Sequence, residues 1–239
     1  MSIGKIIDIE GVDGTGKETQ SQLLYERLKK EGHAVRLVSF PNYNSPSSSL
    51  VKMYLNGEFG DDPEDCNVYA VSAFFAVDRF ATYAKELKNF YENGGIIIMD
   101  RYTTSNMIHQ ASKIKDLKEK DEYLNWLWNL EFNLFKLPVP DIVILLDVKP
   151  EISQNLMRNR LNKIDNKKEK DIHEKHPEYL KESYENAMYV AEKYDWDTID
   201  CNDGSNIKSI EEIESLIYQK IKKCVVESNS REGMIKNEL

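Results

Sequence analysis

The sequence predicts one α/β domain in which five parallel strands form a sheet flanked by helices. Short apolar runs alternate with longer segments in which apolar residues recur at helical spacing, as in β-α-β units. The first apolar run leads through a glycine-rich turn into a helical segment, which is the setting of a phosphate-binding loop. The 239 residues fit a single domain, and no linker or internal repeat divides the chain.

The predicted strands are apolar runs bounded by glycine, proline or polar residues. Continuous apolar runs of this length are typical of strands that are buried on both faces of a parallel sheet. The strands comprise residues 5–10, 34–40, 95–100, 140–148 and 197–201.

The predicted helices combine helical apolar spacing with boundary residues at their ends. Gly32 stops the first helix, Pro63 lies in the first turn of the second, Gly94 lies at its end, and Pro150 opens a later one. The helical segments are 17–32, 62–95, 104–112, 120–135, 150–161, 177–194 and 207–226.

Three segments lack apolar periodicity. Residues 42–50 are predicted as a loop from their serine, proline and asparagine content. The charged residues 162–176 are predicted as a mobile connection, and residues 227–239 as a frayed or disordered tail. The predicted domain is therefore 1–226.

The composition limits the function classes. A formal net charge of −9 argues against a general nucleic-acid-binding protein, because phosphate contacts require clustered Lys and Arg. Three scattered cysteines without a C-x-x-C motif indicate reduced thiols. Neither a secretory signal nor an apolar run of membrane-spanning length is recognised. These features predict a cytoplasmic protein with no membrane partner.

The stretch EGVDGTGKETQ, residues 10–20, matches the pattern G-x-x-x-x-G-K-[ST] except at its last position, where Glu18 stands. The glycines allow a tight turn whose N–H groups point inward at phosphate oxygens, and the following helix N-terminus adds positive potential. Lys17 is placed to reach the terminal phosphates of a nucleotide. The loop predicts a nucleoside triphosphate site in a P-loop NTPase fold.

With the stretches SFPNY, FFAVDRF and MDRYTTSN, this loop resembles the thymidylate kinase family of nucleoside monophosphate kinases. The resemblance implies transfer of the γ-phosphoryl group of ATP to dTMP, giving dTDP, with Mg²⁺ as the metal ion and a homodimer formed through the long helices. It implies ATP-binding residues Gly11, Val12, Asp13, Gly14, Thr15, Gly16, Lys17, Glu18 and Thr19.

The resemblance also implies a dTMP site. Phe75 matches the aromatic residue that stacks on thymine, and Arg79, one helical turn later, matches the arginine that hydrogen-bonds a base carbonyl. Asn106 matches an amide at the ring edge, and His109 stands where an aromatic residue near the sugar, often Tyr, selects against a 2′-hydroxyl. The full implied set is Asp13, Phe40, Pro41, Tyr43, Phe75, Arg79, Arg101, Ser105, Asn106 and His109.

Asp100 and Arg101 follow a predicted central strand, at the edge where open α/β sheets bind ligands. Asp100 is placed to act on Mg²⁺ or its water, and Arg101 matches the arginine that holds the acceptor phosphate, a task that suits its planar fork of donors. The implied catalytic residues are Lys17, Asp13, Arg101 and two lid arginines, Arg158 and Arg160.

The lid, approximately 158–172, is implied by the resemblance of its charged sequence to the segment that closes over ATP. The family supplies an arginine either from the loop or from the lid, and Gly14 occupies the loop position here. We therefore expect the lid to supply it. A second departure is Tyr43 in a stretch where the family often places an arginine that touches the acceptor phosphate.

Alternatives remain open from the sequence. Glu18 is expected either to help hold Mg²⁺, directly or through water, or to face solvent while phosphates, waters and Asp100 hold the ion. A deoxynucleoside kinase is a rival function, because the arginine after Pro41 is missing. A P-loop protein with impaired turnover is another, because of Glu18.

Overall fold

The computed structural model describes residues 3–60, 62–157 and 177–235. The predicted lid and its two arginines, Arg158 and Arg160, lie outside the described residues, as does the whole connection predicted for 162–176.

A five-stranded, fully parallel sheet forms the centre of the fold, as predicted. The strand order is β2-β3-β1-β4-β5. The strands are β1 Lys5–Glu10, β2 Val35–Ser39, β3 Ile96–Asp100, β4 Ile142–Asp147 and β5 Asp197–Asp200. They differ from the predicted runs by no more than two residues at either end.

Helices cover both faces of this sheet. They are α1 Lys17–Lys30, α2 Ser49–Leu55, α3 Val68–Thr82, α4 Lys88–Glu92, α5 Thr103–His109, α6 Leu117–Trp128, α7 Pro150–Met157, α8 Pro177–Lys193 and α9 Ile210–Ile235. A π-helical stretch, Tyr83–Leu87, joins α3 to α4, and a second, Asn129–Leu134, continues α6. A short hairpin of β6, Asn202–Asp203, and β7, Asn206–Ile207, precedes α9. None of the described helices is long and apolar enough to cross a lipid bilayer.

The alternation of side chains along β1 creates two different environments. Ile7 and Ile9 face α1 and α9 in the larger apolar cluster of the core. On the other face, Ile6 packs in a second apolar cluster, while Asp8 and Glu10 are fully buried carboxyl groups. Two acids on one buried face of a central strand require hydrogen-bond donors close by. Those donors come from α5 and position the candidate site.

Two predicted features are wrong. Residues 42–50 are not simply a loop, because a 3₁₀ turn, Pro46–Ser48, leads into α2, whose Val51 and Tyr54 are buried. The helix predicted to start near Pro63 starts at Val68 instead, because the Asn67 side chain accepts hydrogen bonds from the first free N–H groups.

At the carboxyl terminus, α9 continues past residue 226, where the periodicity predicts its end, as far as Ile235. The disorder predicted for 227–239 stays a prediction.

Candidate active site

A cavity of about 1000 Å³ opens at the carboxyl edge of the sheet. It brings together every described residue of the predicted sites except Gly11 and Val12, which do not line it. The predicted residues that line it are Asp13, Gly14, Thr15, Gly16, Lys17, Glu18, Thr19, Phe40, Pro41, Tyr43, Phe75, Arg79, Asp100, Arg101, Ser105, Asn106 and His109.

The glycine-rich turn connects β1 directly to α1. Gly14 and Gly16 adopt φ angles of 81° and 85°, which side chains disfavour, and α1 begins immediately after Gly16. The Lys17 ammonium group donates to the Val12 carbonyl over 2.7 Å, and the Thr15 hydroxyl donates to the same oxygen over 3.0 Å. The loop therefore has the predicted strand-turn-helix setting.

Lys17 is buried, with 6% of its surface exposed. Burial and, next, the positive charge of Arg101 lower the pKa of Lys17 to about 7, although the carboxylates of Asp13, Asp100 and Glu10 act in the opposite direction. An anion placed against this amine would favour its charged form. The loop is thus electrostatically prepared to receive phosphate.

Helix α7 closes over Gly14. A Cβ atom at this position would lie 2.6 Å from the Ser153 carbonyl oxygen and 2.7 Å from Cγ of Met157. Both distances are shorter than real contacts, so α7 excludes any side chain at position 14. An arginine cannot stand at this loop position without moving α7.

Arg101 joins the loop to α5. Its Nη2 donates to Oδ1 of Asp13 over 2.6 Å, and its Nη1 donates to the Ser105 hydroxyl over 3.3 Å. Nη1 also lies 3.0 Å from Nε2 of His109, which must accept because a guanidinium only donates. The φ angle of Arg101 is 73°, an unusual value for a residue with a side chain. Strained backbone of this kind is frequent at functional sites.

Charge accounts for the protonation of Arg101. Burial lowers its pKa, but the carboxylates of Asp13, Glu10 and Asp100 outweigh burial and raise the pKa overall. The guanidinium is therefore a permanent cation at the edge of the cavity.

Glu10, at the end of β1, anchors the N-terminal end of α5. One of its oxygens, Oε1, accepts from the Tyr102 N–H over 3.2 Å and from the hydroxyls of Thr104 and Ser105 over 2.8 and 2.7 Å. Its other oxygen accepts from the Gly11 N–H over 3.4 Å. One buried carboxylate therefore ties the glycine-rich turn to the helix that carries Ser105. The predicted contact of the Ser105 hydroxyl with a ligand competes with this anchor.

Asp8 lies below the same helix. The Thr104 hydroxyl contacts Oδ2 of Asp8 as well as Oε1 of Glu10, but it has one proton to donate. Burial and the neighbouring Glu10 charge raise the pKa of Asp8 well above the usual aspartate range. A protonated Asp8 supplies the second proton that this pair of contacts needs.

Two of the predicted base-contact residues, Phe75 and Arg79, lie on one face of α3, and the third, Asn106, lies on α5. Phe75 meets the Tyr54 ring edge-on, with centroids 6.3 Å apart, so α2 supports the aromatic wall. Arg79 is 1% exposed and makes a two-point ion pair with Glu131, with Nε–Oε2 and Nη2–Oε1 distances of 2.7 and 2.5 Å. The Asn106 amide donates to the Ser72 carbonyl over 3.2 Å.

Asp78, next to Arg79 in α3, organises the segment after Pro41. Its carboxylate accepts from the Asn42 N–H over 2.8 Å and from the Ser47 hydroxyl over 2.5 Å. These bonds hold both ends of the turn that carries Tyr43 into the cavity wall. Tyr43 lies close enough to Arg101 to affect its pKa. The two residues therefore face the same part of the cavity.

Carboxylates suitable for a magnesium ion line the cavity. Asp100 accepts from the Ser39 hydroxyl over 3.1 Å, and Glu18 stands in the first turn of α1. The described residues contain no cluster of three or more metal-ligating side chains. Mg²⁺ usually binds through one or two carboxylates together with waters and substrate phosphates, so this donor set fits it.

Sequence reasoning missed several residues of the site. Glu131, Asp78 and Thr103 lie behind the cavity wall. Asp78 and Thr103 sit in the stretches FFAVDRF and MDRYTTSN, whereas Glu131 sits in no recognised motif. The cavity is also lined by residues from α1, α7, the end of the β6–β7 hairpin and α9. These are Gln20, Leu156, Met157, Ile207, Lys208, Ile210 and Ile213. Gln20 ends the stretch EGVDGTGKETQ, but the others belong to no motif, because they meet only in the folded chain.

Comparisons with known proteins identify the family. A family model described as thymidylate kinase matches residues 9–217. Thymidylate kinase of Mycobacterium tuberculosis is 32% identical over 156 residues, which cover 65% of this chain and 71% of the relative. Thymidylate kinase of Plasmodium falciparum is 30% identical over 224 residues, which cover 94% of this chain and 92% of the relative.

A solved structure of thymidylate kinase from Candida albicans shares the fold, with a TM-score of 0.68 over 93% of both chains at 21% identity. The predicted P-loop fold and the resemblance drawn from the motifs are confirmed, and with them the prediction that the chain is a kinase. The family model matches most of this chain, and the matches to the two relatives also cover most of each relative's length. The chain therefore belongs to the thymidylate kinase family.

Proposed function

We propose that this protein transfers the γ-phosphoryl group of ATP to the 5′-phosphate of dTMP, giving ADP and dTDP. The observation that supports it best is the continuity of one cavity, which joins the glycine-rich turn to Arg101 and then to the wall formed by Phe75 and Arg79. Donor and acceptor phosphates meet where Lys17 and Arg101 face each other. The reaction needs positioning and charge neutralisation, and no protein nucleophile.

On the donor side, the N–H groups of residues 11–17 and the N-terminus of α1 would cradle the β- and γ-phosphates. Lys17 would hold the terminal phosphate, and the phosphate charge would restore its ammonium form. The apolar side chains of Leu156, Ile207 and Ile210 would surround the donor base.

On the acceptor side, Arg101 would bind the dTMP phosphate by exchanging its Asp13 contact, and Asp13 would then be available to the sugar 3′-hydroxyl. The Tyr43 hydroxyl would add a hydrogen bond without charge. Phe75 would stack on thymine and Arg79 would donate to a base carbonyl.

We infer a magnesium ion beside the phosphates, held by Asp100 directly or through water. The ion would neutralise charge on the transferring phosphoryl group. Glu18 replaces the usual hydroxyl ligand, and its role is tested by comparing the Mg²⁺ dependence of ATP binding in Glu18→Ser with that of the wild type. Identical curves would remove Glu18 from the metal site.

We further propose that the lid, approximately 158–172, supplies the cation that the loop lacks. The contact of α7 with Gly14 supports this, because it excludes a loop arginine. Arg158→Ala or Arg160→Ala should lower kcat by at least about 100-fold, as expected for a charge that acts on the transition state. Wild-type turnover in both variants would refute the assignment.

The function is tested by coupled ADP release with dTMP and thymidine supplied side by side. Turnover is expected with dTMP and not with thymidine, and Lys17→Met is expected to abolish it. Lys30→Met, the same change at the exposed end of α1, is the control. Turnover with thymidine alone would favour a deoxynucleoside kinase. Other deoxynucleoside monophosphates belong in the panel, since the Candida albicans enzyme is described as having broad substrate specificity.

We propose a homodimer formed through α3 and the π-helical stretch after α6. Val77, Phe80 and Leu134 are 48%, 43% and 65% exposed, and the Phe80 ring lies 5.3 Å from that of Phe135, which joins these elements. Sedimentation should show a wild-type dimer and a monomeric Phe80→Glu. A monomeric wild type would refute the assembly.

We also propose a cytoplasmic location with small nucleotides as the partners. No disulfide joins the three cysteines in the described part of the chain, which suits a reducing compartment. Cell fractionation tests this location, and recovery of the protein in a membrane fraction would contradict it.

A further inference from the structure

The Arg79–Glu131 pair is the most deeply buried ion pair of the described residues, with the two side chains 1% and 0% exposed. Both oxygens of Glu131 are engaged, one with Nε and one with Nη2 of the guanidinium. This fork-to-fork contact fixes the plane of the guanidinium as well as its position. It leaves the Nη1 edge for the cavity that Arg79 lines.

Glu131 is itself held from a third element. The Thr103 hydroxyl, in the first turn of α5, donates to Oε2 of Glu131 over 2.8 Å. Glu131 lies in the π-helical stretch Asn129–Leu134, and single π-helical turns occur frequently at functional sites. The carboxylate thus connects the stretch after α6 to both α3 and α5, the two helices that carry the predicted base contacts.

Stability alone does not account for this pair. A buried ion pair is often no more stabilising than apolar side chains of similar volume, while removal of one partner is strongly destabilising. The geometry of the pair is therefore better explained by the orientation it gives to the Nη1 edge of Arg79, which is left for the cavity.

We propose that Glu131 is a positioning residue for base recognition. It aims the Nη1 edge of Arg79 at the carbonyl oxygen on C4 of the base and cancels the arginine charge, so that the base is selected as a neutral hydrogen-bond acceptor. This inference rests on the proposed function, because it takes dTMP as the acceptor and Arg79 as its contact. It adds a residue outside every motif of the sequence.

The test compares substrates with and without the C4 oxygen of the base, in proteins with and without the negative charge of Glu131. Initial rates are measured with dTMP and with 5-methyl-2-pyrimidinone deoxyribonucleoside monophosphate, an analogue that carries hydrogen in place of the C4 oxygen and therefore also lacks the proton on N3. In the wild type, kcat/KM should fall about 10- to 100-fold with the analogue, the usual range for a hydrogen bond from a charged donor. In Glu131→Gln, kcat/KM for dTMP should fall to near the analogue value, and the ratio between the two substrates should drop below about threefold.

Other readouts separate positioning from folding. Glu131→Gln should raise KM for dTMP and leave KM for ATP unchanged, whereas partial unfolding would lower kcat with both substrates. Glu131→Asp keeps the charge on a shorter arm and should restore part of the ratio. Glu122→Gln, the same change at an exposed position of α6, should leave the ratio at the wild-type value.

The outcomes are distinguishable. Absence of turnover with dTMP would refute the proposed substrate. A wild type that uses dTMP and the analogue equally well would refute the contact of Arg79 with the C4 oxygen. A wild type that discriminates, with Glu131→Gln and Glu131→Asp within twofold of its ratio, would overturn the role of Glu131 and leave the proposed function intact. If neither Glu131 variant folds, Thr103→Val, which removes a donor to Glu131, decides by the same comparison: a reduced ratio supports the proposal and an unchanged ratio overturns it.

Discussion

Replacing Lys17 with methionine is expected to stabilise the protein at neutral pH although it abolishes turnover. Burial lowers the pKa of Lys17 from 10.5 to about 7. Because each pKa unit corresponds to about 1.4 kcal/mol, the charged amine is less favourable here than in water by about 5 kcal/mol. Methionine avoids this cost but removes the hydrogen bond to the Val12 carbonyl, worth about 1 kcal/mol. The expected gain in the free energy of unfolding is about 3 kcal/mol at pH 7.

The pH dependence identifies the cause. Between pH 7 and 10.5 the unfolded chain holds more protons at position 17 than the folded chain, so the wild-type free energy of unfolding rises with pH in this window. Lys17→Met lacks this rise. The difference between the two proteins should therefore be largest at pH 7 and below, and should shrink towards pH 10.5.

Urea unfolding followed by circular dichroism at pH 6.5, 8 and 9.5 measures this difference. Lys30→Met, on the exposed end of the same helix, controls for the loss of a lysine. The reasoning would be refuted if Lys17→Met were no more stable than the control at pH 6.5. A gain that stayed constant across the pH range would refute it as well, because burial of the charge would then not be its source.

Three further predictions follow from the same regions. ATP binding at pH 8 should take up close to one proton per site as Lys17 becomes charged, so calorimetric enthalpies should vary with the ionisation enthalpy of the buffer; equal enthalpies would contradict this. Gly14→Ala should cost about 2 kcal/mol more in unfolding free energy than Gly16→Ala, since both have positive φ but only the Cβ at Gly14 meets a carbonyl oxygen, at 2.6 Å; equal urea midpoints would contradict it. Asp8→Asn should raise the unfolding free energy at pH 8 by at least about 1 kcal/mol and by less at pH 5, because a raised folded-state pKa costs wild-type stability as pH rises above the unfolded value; equal effects at both pH values would exclude this cause.

The parallel strands were predictable because their environment is uniform. Residues 96–100 of β3 are buried on both faces, so the sequence there is a continuous apolar run that ends in Asp100, which lines the cavity. The glycine-rich turn was predictable for a related reason, since it follows β1 without a spacer. In both cases the local sequence alone is sufficient to predict the local structure.

Helix α2 was missed although a signal was present. Val51, Tyr54 and Leu55 are buried at helical spacing, but the serines and Pro46 that precede them dominate the composition. Those residues form the helix entry: the Ser45 side chain accepts from the Ser47 N–H at the start of the 3₁₀ turn. The polar composition of residues 42–50 therefore reflects the helix entry, and it hid the apolar spacing of the helix that follows.

Glu131 was not predictable from the sequence. A glutamate in an amphipathic helical segment is normally solvent-exposed, and its partner Arg79 lies 52 residues away. The 3.6-residue period places Glu131 on the same face as the buried Leu124 and Leu127, but the residue type predicts exposure to solvent, so the sequence does not identify its buried partner. The pairing of Glu131 with Arg79 is therefore a property of tertiary packing.

The two cavity arginines illustrate how burial divides their tasks. Each contacts a carboxylate, but the side chains of Arg101 and Asp13 are 18% exposed, while those of Arg79 and Glu131 are 1% and 0% exposed. A partly exposed pair separates more readily than a fully buried one because water reaches the separated groups, so we propose that Arg101 releases Asp13 and takes a phosphate. A buried pair cannot separate without leaving an unpaired charge, so Arg79 stays neutralised. Under the proposed function, the charge offered to the acceptor phosphate would therefore come from Arg101 and Lys17, and Arg79 would contribute direction rather than charge.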